Sequence, residues 1–222
     1  MVQQEKLLFW KEKRRAVADE PATIESPKNN MHDATLCLLI KPARNASPAS
    51  NASPARNAVS AADWRSDAGW YSDAGGDNEI LLAMKKRGFG MGKWNGVGGK
   101  PDLEKGDKTI IDTAIRETEE EIGVKPSNLK KVALLRFRFP YEENWNQDVY
   151  VFLTNNWEGE LKESEEMLPK WFKTSEIPYQ EMWDDDKFWL PHILAGKKLE
   201  ADFIFKEGEK IDKHTINFVS EI

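Results

Sequence analysis

Four glutamates crowd five consecutive positions in "RETEEEIG", Arg116 to Gly123. Carboxylates three and four apart on a helix repel one another by about 0.2–0.5 kcal/mol per pair. A chain that gathers them on one turn is either dressing a solvated surface or preparing a place for a cation. At about 100° per residue, Glu117, Glu120 and Glu121 share one arc of roughly 100°. Glu119 points to the other side of the apolar stripe, as a solvated spectator. Three oxygen donors on one face suit a hard divalent cation such as Mg²⁺ or Mn²⁺.

The helix that must carry them is well marked. "TIID" supplies a capping box, with Thr109 as N-cap and Asp112 three residues on. Gly123 is the stop signal, and Pro126 lies just beyond. Ile111, Ile115, Thr118 and Ile122 recur at helical spacing and predict the core-facing stripe. The preceding "GVGGKPDLEKGDK" brings flexible backbone toward the carboxylate face. Neither "GMGKW" nor "GVGGKP" has the Ser or Thr that a P-loop needs after its lysine, and G-x-G-x-x-G is absent. The three histidines stand in no metal-ligand spacing, so zinc chemistry is not indicated.

At 222 residues the chain predicts one well-buried core rather than two full domains. Its net charge of −6 argues against a nucleic-acid partner. That charge would also repel a free nucleoside triphosphate unless metal ions or local lysines bridge the two. No apolar run is long enough to span a membrane, and the N-terminal residues do not read as a secretory signal. The single cysteine, Cys37, sits in an apolar strand as a small buried hydrophobe. These features together predict a cytoplasmic protein.

Residues 1–30 read as a loosely ordered N-terminal extension, with a short amphipathic helix over "EKLLFWKEKRRAV". Residues 31–222 form the domain, interrupted at 43–77 by a low-complexity insertion that repeats both "NASPA" and "SDAG". Strands are predicted at "TLCLLI", "EILLAM", "KVALLRFRF", "DVYVFL", "KWF", "ADFIF" and "TINFV", and a second helix through "DKFWLPHILAG". The interleaving implies a mixed sheet with a helix on each face.

Gly99, Arg116, Glu117, Glu120, Glu121 and Gly123 together resemble the Nudix box. The helical half of that motif is complete, apart from Thr118 where an aliphatic residue is usual. The loop before it is about three residues longer than the standard spacing, and its mid-loop glutamate is replaced by Asp107 or Lys108. "MKKRGFGMGKWNGVGGK", "EEMLPKWF" and "IPYQEMWDDDKFWLPHILAGKK" are similar to the branch of the Nudix hydrolases that acts on oxidised purine nucleoside triphosphates. The resemblance covers residues 33–42 and 79–222.

The resemblance implies an α/β/α sandwich around a mixed β-sheet. It also implies Mg²⁺-dependent cleavage of 8-oxo-dGTP or 2-hydroxy-dATP to monophosphate and pyrophosphate, by a monomer that takes only small-molecule substrates. Glu117, Glu120, Glu121, Glu166 and the Gly98 carbonyl would hold the metal. Glu117 or Glu121 would act as base, and Arg116 would orient the carboxylates. The base pocket would be formed by Thr35, Lys85, Phe89, Asn95, Phe137, Phe139, Gln147, Met167, Trp183, Asp185, Asp186 and Trp189. In "MWDDDKFW", burial and mutual repulsion should raise the pKa of at least one of Asp185 and Asp186; the alternative is that both merely cap the following helix. Two rival readings are a Nudix hydrolase of a dinucleoside polyphosphate, nucleotide sugar or capped RNA, and a silent nucleotide-binding module.

Overall fold

The computed structural model describes residues 31–42 and 78–222. The expectations for residues 1–30 and for the 43–77 insertion fall outside the described residues.

Among the described residues, ten strands and two α-helices follow one another. β1 (His32–Lys41), β2 (Glu79–Lys85) and the short β3 (Trp94–Asn95) precede α1 (Ile110–Ile122). Then come β4 (Val124–Ser127), β5 (Lys130–Arg138), β6 (Gln147–Thr154), β7 (Asn156–Gly159) and β8 (Met167–Lys173). α2 (Asp186–Leu194), β9 (Lys198–Lys206) and β10 (Lys210–Val219) complete the order. The main sheet runs β10-β9-β5-β6-β1-β2-β3, with β8 also paired to β2. It is mixed: β1–β6 and β5–β9 are parallel, and its other pairs are antiparallel.

β1 lies inside this sheet, and its residues Ala34 to Ile40 are all buried. An apolar run without alternation is what a strand covered on both faces requires. Because side chains alternate across a strand, Leu36 and Leu38 face one layer, with Trp189, Leu190 and Ile193 of α2. Cys37 faces the other layer, beside Thr118 of α1. That layer also holds Phe152, packed with Ile110 and Ala114. The two helices therefore sit on opposite faces, the sandwich that the sequence pattern predicts.

α1 starts and stops as expected. The Thr109 hydroxyl accepts from the Asp112 N–H, the Asp112 carboxylate accepts from the Thr109 N–H, and Gly123 closes the helix in the left-handed region at φ 76°. Its buried face differs from the predicted stripe. Ile110, Ala114, Thr118, Glu121 and Ile122 are buried, whereas Ile111 is exposed and Ile115 only half-buried. Small side chains at 114 and 118 let the helix approach the sheet closely, which rotates the larger Ile111 outward. Thr118 fits this position because its hydroxyl donates to the Ala114 carbonyl, 2.7 Å away. Pro126 is not free chain after the helix but part of β4, in a two-stranded ribbon with β7, where a proline is tolerated at an edge.

Candidate active site

A cavity of about 550 Å³ opens between the sheet, the Lys85–Lys93 turn and the start of α2. Every side chain predicted for the base pocket lines it, from Thr35 and Lys85 at one end to Asp185, Asp186 and Trp189 at the other. Gly98 and Glu166 line it as well. Sequence reasoning missed Phe205, which stacks on Phe139 at 4.6 Å. It also missed Lys93, whose ammonium lies 4.8 Å from the Trp183 ring centre. Phe205 was legible as an inward position of the alternating "ADFIF" strand; nothing in the local sequence marked Lys93. Phe188, within the same aromatic run, does not join the pocket and stacks on His214 instead.

The inner end of the cavity is acidic and buried. Asp185 and Asp186 are buried. The Trp189 indole N–H donates to Asp185 at 2.9 Å, and the Trp183 N–H donates to Asp186 at 3.0 Å. Burial is the main force raising the pKa of both, and Asp186 is raised further by the charge of Asp185. Lys93 works weakly in the opposite direction. No helix cap is formed: Asp186 accepts from the Trp183 N–H, which precedes the helix, and the Asp185 side chain makes no capping bond.

The other end is lined by Thr35, Lys85, Gly98, Gly99 and Lys100, and α1 packs against the glycine segment there. Residues 97–99 run along β1: Cys37 pairs with Val97, and the Thr35 N–H donates to the Gly99 carbonyl at 2.9 Å. The Thr35 hydroxyl also bonds Gly99, accepting from its N–H and donating to its carbonyl. Side chains have no room here. A Cβ on Gly98 would collide with the Thr35 backbone, and one on Gly99 would lie 2.5 Å from the Glu117 carboxyl carbon.

Arg116 organises the helix acids. Its guanidinium donates to Glu117 at 2.8 Å, to Glu120 at 3.1 Å and, in a two-pronged pair at 2.9 and 2.7 Å, to Asp107. Of the two residues read in place of the mid-loop glutamate, Asp107 is the one that joins this network. Asp107 is buried and bonded to Arg116, Thr113 and the Asp102 N–H, while Lys108 is exposed. Burial opposes ionisation of Asp107, but these donors together hold its pKa below the usual value. The acid of the lengthened loop thus braces Arg116.

The other helix acids each carry their own cation. Lys105 lies 2.8 Å from Glu120, which is held below its usual pKa chiefly by that bond. Lys85 bonds both Glu121 and Glu166, at 3.1 Å each, and Arg87 reaches Glu166 at 2.7 Å. Glu119 is an exposed spectator as expected, 3.9 Å from Lys125. Among the described residues no three His, Cys, Asp or Glu side chains are grouped closely enough to hold a metal ion. The predicted convergence of Glu117, Glu120 and Glu121 is therefore one of helix face, not of a preformed cage, because each carboxylate is drawn toward a lysine or arginine.

The donor set nevertheless fits a divalent cation. Glu121 is 7% exposed, burial raises its pKa despite Lys85 and the nearby Gly98 N–H, and its Oε2 is buried without a hydrogen bond of good geometry. A buried carboxylate oxygen left unbonded beside further carboxylates is the kind of ligand a hard cation takes. Cys37, behind this site, has its thiol pushed up to about 12 by burial and is chemically inert. Among the described residues, no helix is long and apolar enough to cross a membrane.

Comparison with known proteins agrees with this architecture. The chain is 42% identical over 143 residues to the oxidized purine nucleoside triphosphate hydrolase of Danio rerio, covering 64% of this chain and 89% of that protein. It is 41% identical over 140 residues to the Mus musculus protein of the same name, covering 63% and 87%. Among solved structures, the MutT protein of Bacillus halodurans superposes with a TM-score of 0.60 at 19% identity, over 84% of this chain and 98% of that one, a likeness of fold. Residues 68–193 match the NUDIX domain, and the chain belongs to the NUDIX family.

Proposed function

We propose that this protein hydrolyses oxidised purine nucleoside triphosphates to the monophosphate and pyrophosphate, with Mg²⁺, or Mn²⁺ in its place, as cofactor. The observation that carries the reading is the polarity of a single cavity. One end is an aromatic slot floored by two buried carboxyl groups, and the other opens beside the acidic helix face. A purine would lie between Trp183 and the other ring walls with its polar edge against Asp185 and Asp186. Its phosphates would then reach toward Gly98, Gly99 and α1. The zebrafish and mouse relatives carry the name of that activity.

Glu117, Glu120, Glu121 and Glu166, with the Gly98 carbonyl, would hold the metal. A bound divalent cation neutralises phosphate charge and lowers the pKa of its water, so that attack is feasible at neutral pH. Glu117 or Glu121 accepts the proton of the attacking water. Arg116, itself held by Asp107, fixes the direction in which Glu117 and Glu120 point. The ring walls exclude water from the base edge, so each hydrogen bond to Asp185 or Asp186 discriminates strongly between bases.

The reading is tested by a Mg²⁺ panel of dGTP, dATP, 8-oxo-dGTP and 2-hydroxy-dATP, scored by pyrophosphate release. Higher kcat/KM on the oxidised purines, by about tenfold or more, is expected. Equal turnover of normal and oxidised bases, or activity only on dinucleoside polyphosphates, nucleotide sugars or capped RNA, would overturn it.

A further inference from the structure

Lys85 ends β2 at the rim of the cavity, and its ammonium stands between two acids from different parts of the chain. Glu121 comes from the last turn of α1 and Glu166 from the residue before β8. Nζ is 3.1 Å from Glu121 Oε1 and 3.1 Å from Glu166 Oε2. The two acids depend on this lysine unequally. Glu166 also receives Arg87, through Nε at 3.2 Å and Nη2 at 2.7 Å. Glu121 has Lys85 as its one ion-pair partner among the described residues.

We infer that Lys85 is the resident counter-ion of the metal site: it neutralises Glu121 and Glu166 in the metal-free protein and must leave them before they can ligate a divalent cation. The inference rests on the metal reading proposed above. A carboxylate as buried as Glu121 cannot be left without a compensating charge, and a compact ammonium on a flexible stem can supply that charge and later withdraw. Lys85 is partly exposed, so it has a path to water.

The two occupancies exclude each other. Lys85 bonds Glu121 through Oε1 and leaves Oε2 open, but a Mg²⁺ at about 2.0–2.1 Å from Oε2 would stand only a few ångströms from the ammonium. Two cations on the same pair of carboxylates would repel strongly. Glu166 keeps its place when Lys85 departs, because Arg87 still holds it. The exchange also accounts for the ungrouped acids, since each is drawn to a side-chain cation.

The test is calorimetric titration of Mn²⁺ into the full-length protein without nucleotide. Lys85→Gln should bind at least about tenfold tighter than the wild type, and Lys85→Arg, which keeps the charge, should stay within about threefold of it. A second readout needs no variant. Reductive methylation followed by mass spectrometry should label Lys85 at least about threefold faster when Mn²⁺ is added, with Lys41 unchanged. Wild-type binding with no tightening in Lys85→Gln, or no change in Lys85 labelling, overturns the inference while leaving the metal reading intact. Absence of Mn²⁺ binding in both proteins overturns both.

Discussion

Glu121 and Asp107 are both buried acids braced by cations, yet their surroundings push them in opposite directions. Asp107 meets two arms of Arg116 and is stabilised as an anion, whereas burial dominates at Glu121 and leaves one oxygen unbonded. The first is built to stay and the second to accept a further partner. Glu120→Gln and Glu121→Gln are each expected to lower Mg²⁺-dependent turnover by about a hundredfold or more, on the scale of a lost metal ligand. Near-full turnover in both variants would remove them from the metal site. At the other end of the cavity, Asp185→Asn and Asp186→Asn should cost 8-oxo-dGTP and 2-hydroxy-dATP unequally, with Mn²⁺ affinity unchanged. Equal, small losses that track a fall in Tm would leave only a structural role. Asp185 also predicts a pH signature, because burial lifts it from 3.8 to about 7 in the folded chain. Between those values the folded state binds more protons than the unfolded state, so this group's contribution to stability falls as pH rises through that window. Asp185→Asn should flatten the decline in Tm between about pH 4 and pH 7; an unaltered slope would show that the group does not titrate there.

At the scale of elements, the glycine segment and α1 must keep a fixed separation. The obstacle to a side chain at Gly99 is the movable end of Glu117, not backbone. Gly99→Ala should therefore leave Tm within about 3 °C while lowering kcat by about tenfold or more, because Glu117 is displaced. A normal kcat would mean that the position of Glu117 is not critical. The limits of sequence reading are visible in the same elements. Capping residues and Gly123 marked α1 because they act through neighbouring backbone groups, which local sequence specifies completely. The buried face was misread at Ile111 because it depends on the surface opposite, where Phe152 and Cys37 favour the small Ala114 and Thr118. Every residue that the resemblance assigned to the pocket lines the cavity. The resemblance could not foresee the counter-ions: Lys85 meets Glu121 and Glu166 only after three separate segments have come together. β3, β4 and β7 were missed because two to four residues carry too little pattern to be seen.

At the scale of the molecule, the ends of the 43–77 segment are already joined by the sheet. Lys41 of β1 pairs directly with Glu79 of β2, so the flanking strands form an antiparallel pair at that point. A two-residue turn can close such a pair, and the cost of a longer connection grows only slowly. Thr35 lies six residues back along β1, which places the cavity roughly 20 Å from this junction. Replacing residues 43–77 with a Gly-Asn turn should yield soluble protein whose kcat/KM is within about twofold of the full chain. Insoluble protein, or soluble protein without activity, would show that the segment packs on the domain or its site. The interior position of β1 has a further consequence, for assembly during synthesis. Its long parallel partner, β6, begins only at Gln147, after the glycine segment and α1 have been made. A ribosome-bound chain that stops before β6 presents the apolar run Leu36–Ile40 with one sheet neighbour missing. Folding must wait for that distant pairing, which is slow by nature and leaves this apolar run open to association with other chains until the middle of the sheet can close.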